Sequence, residues 1–247
     1  MAPSASPIPA YTAILSFVRV FAIADPHLSS QNPKPMDVFG PGWQGHPQAF
    51  FEGWRRVVGP EDLVIIAGDI SWAMRLEDAL PDLQAIAELP GEKVLLRGNH
   101  DYWWPSISRL RAALPEGMYA IQNDSLVIGG VAVAGTRGWL VPGSPEYGEQ
   151  DEKIYKREVE RLRLGLASLA GKDYDKLVIA LHFPPTGPDG SPTGFTDLIE
   201  QYKPDAVVYG HLHGAENAWL LTNWKGIPFH LVAADYLRFQ PRMITEG

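Results

Sequence analysis

The stretch Val94-Leu95-Leu96-Arg97-Gly98-Asn99-His100-Asp101 reads as a buried strand that stops at a glycine and then presents an amide, an imidazole and a carboxylate in succession. The pattern recurs along the chain. Phe17–Ala24 ends in Asp25-Pro26-His27, Leu63–Ala67 in Gly68-Asp69, Leu177–Leu181 in His182, and Ala206–Tyr209 in Gly210-His211-Leu212-His213. Each run is short, apolar and rich in β-branched residues, as buried strands are. Open α/β sheets place their ligand sites just beyond the carboxyl ends of strands. Five polar clusters at five such ends therefore predict one shared site, with the glycines permitting tight turns and close backbone approach.

Between these strands lie helical patterns. Met74–Leu89 carries Leu76, Ala79, Leu80, Leu83, Ile86 and Ala87 near helical spacing, and Glu152–Leu169 places Ile154, Val159, Leu162, Leu166 and Leu169 on one side. Pro105 introduces a third helix over Ser106–Leu114, since proline is tolerated in the first helical turn. Strands alternating with helices predict an α/β domain. Leu126–Ile128, Val131–Ala134, Trp219–Trp224 and Phe229–Ala233 read as further strands, which makes the sheet mixed. Ser29–Pro47 and Phe183–Gly194 are rich in Pro and Gly and read as long functional loops. Residues 1–10 read as a disordered tail and 11–247 as a single domain.

Composition removes several alternatives. The 247 residues contain no cysteine, which excludes disulfides, thiolate metal sites and Cys nucleophiles. The formal charge of −8 and the lack of a Lys/Arg cluster argue against a nucleic-acid polymer, whose binding rests on neutralising many phosphates. A small phosphorylated substrate remains compatible, because bound metal ions supply positive charge locally. Tyr11–Ala24 is interrupted by Arg19 and runs straight into Asp25 and His27, so it reads as a strand rather than a signal peptide. No apolar stretch reaches the ~20 residues of a membrane span. A cytoplasmic protein is the expectation.

The residue types at the strand ends fit a two-metal centre. With thiolates absent, imidazoles, carboxylates and an Asn carbonyl suit two divalent transition-metal ions (Mn, Fe, Ni, Co or Zn), with manganese favoured. Taken in order, D-x-H, G-D, G-N-H-D, H and G-H-x-H resemble the calcineurin-like metallophosphoesterase superfamily from Asp25 to His213. G-N-H-D alone would arise by composition in roughly one chain per thousand of this length. The resemblance implies a four-layer αββα sandwich of two packed mixed β-sheets flanked by helices. It implies that Asp25, His27 and His213 hold one metal, that Asn99, His182 and His211 hold the other, and that Asp69 bridges them. It further implies a metal-bridging hydroxide as nucleophile, with His100 facing the phosphate and Asp101 orienting the His100 imidazole.

Four further residues are candidate substrate contacts. Trp72 follows G-D, Trp103 follows G-N-H-D, Arg137 follows the strand ending near Gly135, and His46 lies in the Pro/Gly loop. Each has a plainer reading: core packing for the tryptophans, a surface ion pair for Arg137, a loop histidine for His46. The motif details resemble the phosphodiesterase-type branch. Ile70-Ser71-Trp72-Ala73 follows G-D where protein phosphatases carry an Asp-Arg-Gly stretch shortly after it, Asp101 follows G-N-H where they carry Glu, and Trp72 stands where purple acid phosphatases carry a Tyr ligand. The expected activity is hydrolysis of small phosphodiesters. A phosphomonoesterase or nucleotidase of the same superfamily is the alternative, and a non-catalytic metal-binding scaffold the remote one.

Overall fold

The computed structural model describes residues 18–214 and 220–245. The expected tail at 1–10, the beginning of the first expected strand at Phe17, and Trp219 lie outside the described residues. The first sheet contains β1 (Val20–Ile23), β2 (Leu63–Ala67), β3 (Glu92–Leu96), β4 (Met118–Ala120) and the late strand β11 (Arg242–Thr245), in the order β11-β1-β2-β3-β4. The second contains β5 (Ser125–Ile128), β6 (Val131–Thr136), β7 (Lys176–Leu181), β8 (Ala206–Tyr209), β9 (Asn223–Trp224) and β10 (Ile227–Leu231), in the order β5-β6-β7-β8-β10-β9. Inner pairs are parallel and the outer pairs β11·β1, β5·β6 and β9·β10 antiparallel, so both sheets are mixed.

Period-two alternation explains how the sheets stack. Val20, Ala22, Leu63, Ile65 and Val94 of the first sheet meet Val131, Val133, Val178 and Val208 of the second in one buried layer. The intervening residues point the other way. Phe21, Val64 and Ile66 pack against helices α1 (His46–Val57), α2 (Leu76–Ala87) and α3 (Ile107–Ala113). Ala132, Ile179 and Val207 pack against α4 (Glu149–Ala167) and α5 (Gly194–Tyr202). The result is the α/β/β/α sandwich that the motif resemblance implies. At the site end the layer between the sheets carries the small residues Ala24, Ala67 and Ala180, which let the loops of both sheets approach each other.

Several expected elements shift. The Ser29–Pro47 loop is shorter and more ordered, with one-turn helices at Asp37–Phe39 and Pro41–Trp43 before α1 begins at His46. Pro47 occupies the first turn of α1, where its missing N–H costs nothing. The Phe183–Gly194 loop ends in α5, capped by the Thr193 hydroxyl accepting from the N–H groups of Phe195 and Thr196. Among the described residues of the expected Trp219–Trp224 strand, Asn223–Trp224 forms a ladder, and β10 starts two residues earlier than Phe229. Strands β4 and β11 go beyond the expected set: one has three residues, and the other pairs at an edge, where alternation is weak.

Candidate metal centre

The loops after β1, β2, β3, β7 and β8 converge at one end of the sandwich. Their backbones are held in unusual conformations. Asp25, His27, Asp69 and His211 all have positive φ, between 47° and 70°. Non-glycine residues rarely adopt this region, and it concentrates at functional sites where the surroundings overdetermine it. Here the surroundings are visible. Asp25 N–H donates to Gly68 O at 2.9 Å, His27 N–H to Asp69 O at 3.1 Å, and His211 N–H to the Asp25 carboxylate at 3.0 Å. The approach is close enough that a Cβ on Gly98 would overlap the backbone and carboxylate of Asp69.

Two triads of ligand atoms result. Asp25, His27 and His213 form one and Asp25, Asp69 and His182 the other, each with its atoms within 4.8 Å of one another. Asp25 Oδ1 is buried with no hydrogen-bond partner among the described residues, and lies 3.8 Å from both His213 Nε2 and His182 Nδ1. That is too long for a hydrogen bond. For His213 Nε2 it falls within the ~4.2 Å separating two ligands that each stand ~2.1 Å from one ion, whereas His182 Nδ1 already meets Ala67 O at 3.0 Å. Asn99 joins the second triad through its Oδ1, 2.8 Å from His182 Nε2. The His211 ring lies 5.2 Å from that of His182. All seven expected ligands are thus brought together, and the donor set of carboxylate, imidazole and amide oxygen fits a divalent cation without thiolates.

Charge and burial complete the picture. Burial pushes the imidazoles of His27 and His211 down to about 3, leaving both neutral and free to coordinate at pH 7. Burial pushes the Asp25 carboxyl up to about 7, opposed by His182 and His213. Burial also works against Asp69, yet His182 holds that carboxyl below the usual range. His182 is buried too, but Asp69 and Asp25 raise it to about 9. Its Nδ1 faces Ala67 O at 3.0 Å, which leaves Nε2, 2.8 Å from Asn99 Oδ1, as the nitrogen placed to coordinate.

The residues around the donors divide. Trp72 stacks on His27 at 4.7 Å and 19° and lies 4.6 Å from the His100 ring. Burial lowers the His100 imidazole, and its backbone N–H donates to Asp69 Oδ1 at 2.7 Å. Asp101 departs from its expected role. Its buried carboxylate accepts from the backbone N–H groups of Asp69 (2.9 Å), Ile70 (2.8 Å), Ser71 (3.3 Å) and Gly98 (2.7 Å), and from the Trp103 indole (2.9 Å). It therefore ties the β2 and β3 loops together instead of orienting the His100 ring. Trp103, a candidate substrate contact, is 2% exposed and belongs to the outer core. Arg137 pairs with the fully buried Glu158 at 3.3 Å, and its guanidinium lies over Trp139. His46 is buried behind His27, donating to its carbonyl at 3.3 Å.

Three neighbours lie outside the expected set. Asp235 Oδ1 accepts from His213 Nδ1 at 3.2 Å and its second oxygen from Gly214 N–H at 2.8 Å, fixing the ring of an exposed ligand. The strand-end rule used elsewhere would have found it, since Asp235 closely follows β10. Trp43 lies 5.9 Å from the His27 ring and 5.4 Å from that of His213. Lys34 holds its ammonium 4.2 Å from the Trp72 ring centre. Neither carries a motif in a single sequence.

A four-layer sandwich whose strand ends gather carboxylates and imidazoles defines a metal-dependent hydrolase. The family model for calcineurin-like phosphoesterases matches residues 18–215, and the chain belongs to that family, whose members are binuclear metal-dependent hydrolases of phosphoesters. No curated protein sequence matches the chain. Among solved structures it is similar to the phosphopantetheinyl hydrolase of Mycobacterium tuberculosis, at 16% identity and a TM-score of 0.57, covering 94% of this chain and 95% of that one. It is also similar to protein TT1561 of Thermus thermophilus, at 15% identity and a TM-score of 0.53, covering 92% of this chain and 100% of that one. At such identities the likeness is one of fold. No helix among the described residues is long and apolar enough to cross a membrane.

Proposed function

We propose that this chain is a two-metal phosphodiesterase acting on small phosphodiesters, with Asp25, His27 and His213 holding one ion, Asn99, His182 and His211 the other, and Asp69 shared. The observation that carries this reading is the buried Asp25 Oδ1, without a hydrogen-bond partner among the described residues and facing His213 Nε2 at 3.8 Å. Manganese is the proposed ion, because a mixed set of imidazole, carboxylate and amide oxygen suits it. When bound, a pair of such ions neutralises phosphoryl oxygens and acidifies water enough to supply a nucleophile at neutral pH.

The protein's own groups do the rest. His100 stands beside the donors with its imidazole neutral, and donates a ring N–H to a phosphoryl or leaving-group oxygen. Trp72 fixes the spacing of His27 and His100 by lying against both rings. Asp101 positions Asp69 by clamping the backbone on either side of it. The diester preference is carried by the motif resemblance to the phosphodiesterase-type branch, with Ile70, Ser71 and Trp72 after Gly68-Asp69. Bis-p-nitrophenyl phosphate and p-nitrophenyl phosphate, each assayed with added Mn and then with chelator, test this. Chelator-sensitive hydrolysis favouring the diester is expected. A preference for the monoester would make the chain a phosphatase, and hydrolysis of neither would return it to a metal-binding scaffold.

A further inference from the structure

A cavity of about 660 Å³ opens beside Asn99 and His211. This size falls within the ordinary range for small-molecule sites. Its walls come from the loop after β6 (Trp139, Leu140, Val141), the loop after β7 (Phe183, Pro184), and Tyr209 at the end of β8. The walls are continuous with the metal donors. The Phe183 ring lies 3.9 Å from that of His211, and the Trp139 ring lies 5.2 Å from Phe183. A run of aromatic surface thus leads from a proposed metal ligand into the cavity.

The chemistry of the lining is one-sided. Among the described residues Glu146 is its only carboxylate, and no Lys or Arg lines it. Arg137 comes near through its stacking on Trp139, with one guanidinium nitrogen 3.3 Å from Glu158, but it is not among the residues that line the cavity. A second phosphate or a carboxylate would therefore enter with no cation to meet it and an acid at hand, which is unfavourable. A nucleoside would bring several hydrogen-bonding groups to walls made mostly of hydrocarbon. An alkyl or aryl group meets neither cost.

We infer that this cavity receives an uncharged, predominantly hydrocarbon ester group of the substrate, so that the natural phosphoester carries an alkyl or aryl substituent on the Asn99/His211 side. The inference rests on the proposed two-metal reading for where the phosphorus sits, and adds what is attached to it. Trp139 and Phe183 are then the surface on which that substituent lies, and Leu140 and Val141 the residues that limit its length.

The test is a binding series on the full chain loaded with Mn, using methyl-, butyl-, hexyl- and octylphosphonate with AMP as comparator, read by calorimetry. Affinity is expected to rise about three- to fourfold per methylene until the cavity fills. The heat-capacity change should grow more negative along the series, and AMP should bind more weakly than hexylphosphonate. Leu140→Asp is expected to flatten the series, while the wild-type series stands by itself if that variant fails to fold. Affinities independent of chain length, or AMP binding more tightly than hexylphosphonate, would overturn the inference. Absence of hydrolysis alongside a steep binding series would count against the proposed activity while upholding the hydrocarbon site, so the two failures are distinguishable.

Discussion

The two sheets contribute unlike halves to the metal centre. Of the proposed ligands, the first sheet supplies both carboxylates, Asp25 and Asp69, with His27 and Asn99. The second supplies imidazoles alone, from His182, His211 and His213. The first half is also the more rigid. Asp101 gathers five hydrogen bonds beneath it, and three of the four left-handed site residues belong to it. The second half is partly open, with His213 36% exposed and steadied by Asp235. Burying two carboxylates side by side is costly unless a positive charge joins them. His182 reaches over from the opposite sheet to within 3.3 Å of the Asp69 carboxylate and 3.8 Å of Asp25, and is placed to offset their charge. Divalent cations would take over the same task, and so would join the sheets as well as bind substrate.

Changing the shared carboxylate should have the largest consequence. Asp69→Asn is expected to abolish metal retention and lower kcat/KM by more than about 10³-fold, measured on a phosphodiester with Mn in excess. Next comes His100→Ala, expected to keep its metal and lose about 10²- to 10³-fold in kcat. Full activity in that variant would remove His100 from the chemistry. Asp101→Ala probes the rigidity of the first half. It strands four backbone N–H groups and an indole in the core, and should lower stability by about 3–5 kcal/mol in urea denaturation. A loss under ~1 kcal/mol would mean that water replaces the carboxylate readily. The gentlest change lies in the open half, where Asp235→Asn should weaken metal affinity by about 10- to 100-fold through a looser His213 ring. If it instead matched Asp69→Asn in severity, the proposed asymmetry between the halves would fail.

How much of this is written in the sequence follows the same division. The seven candidate ligands are legible because each stands where a short apolar run stops, and strand ends in an α/β sheet have only one place to converge. The sandwich is legible only through the motif resemblance, because Leu63–Ala67 and Leu177–Leu181 are apolar throughout and the structure alone shows that their alternate residues face different cores. What is not legible depends on backbone angle or on distant partners. The left-handed conformations of Asp25, His27, Asp69 and His211 leave no mark in composition. Asp101 follows His100 in sequence, yet its carboxylate turns toward the loop after β2, a choice set by N–H groups about thirty residues away in the chain. Arg137 lies near the site by virtue of its strand end, but the buried Glu158 of α4 captures its head group. Helix α1 escapes the sequence reading because Pro47 and two glycines mask its start, although the proline suits a first helical turn.

The central claim is that two ions sit between the sheets, each held by ligands from both. Metal content per chain after Mn loading and desalting, measured by mass spectrometry on wild type, His27→Ala and His211→Ala, tests this directly. Two ions are expected in the wild type, and about one in each variant, since each imidazole serves a different ion. Two ions retained in both variants, or a single ion in the wild type that His27→Ala leaves in place, would contradict it.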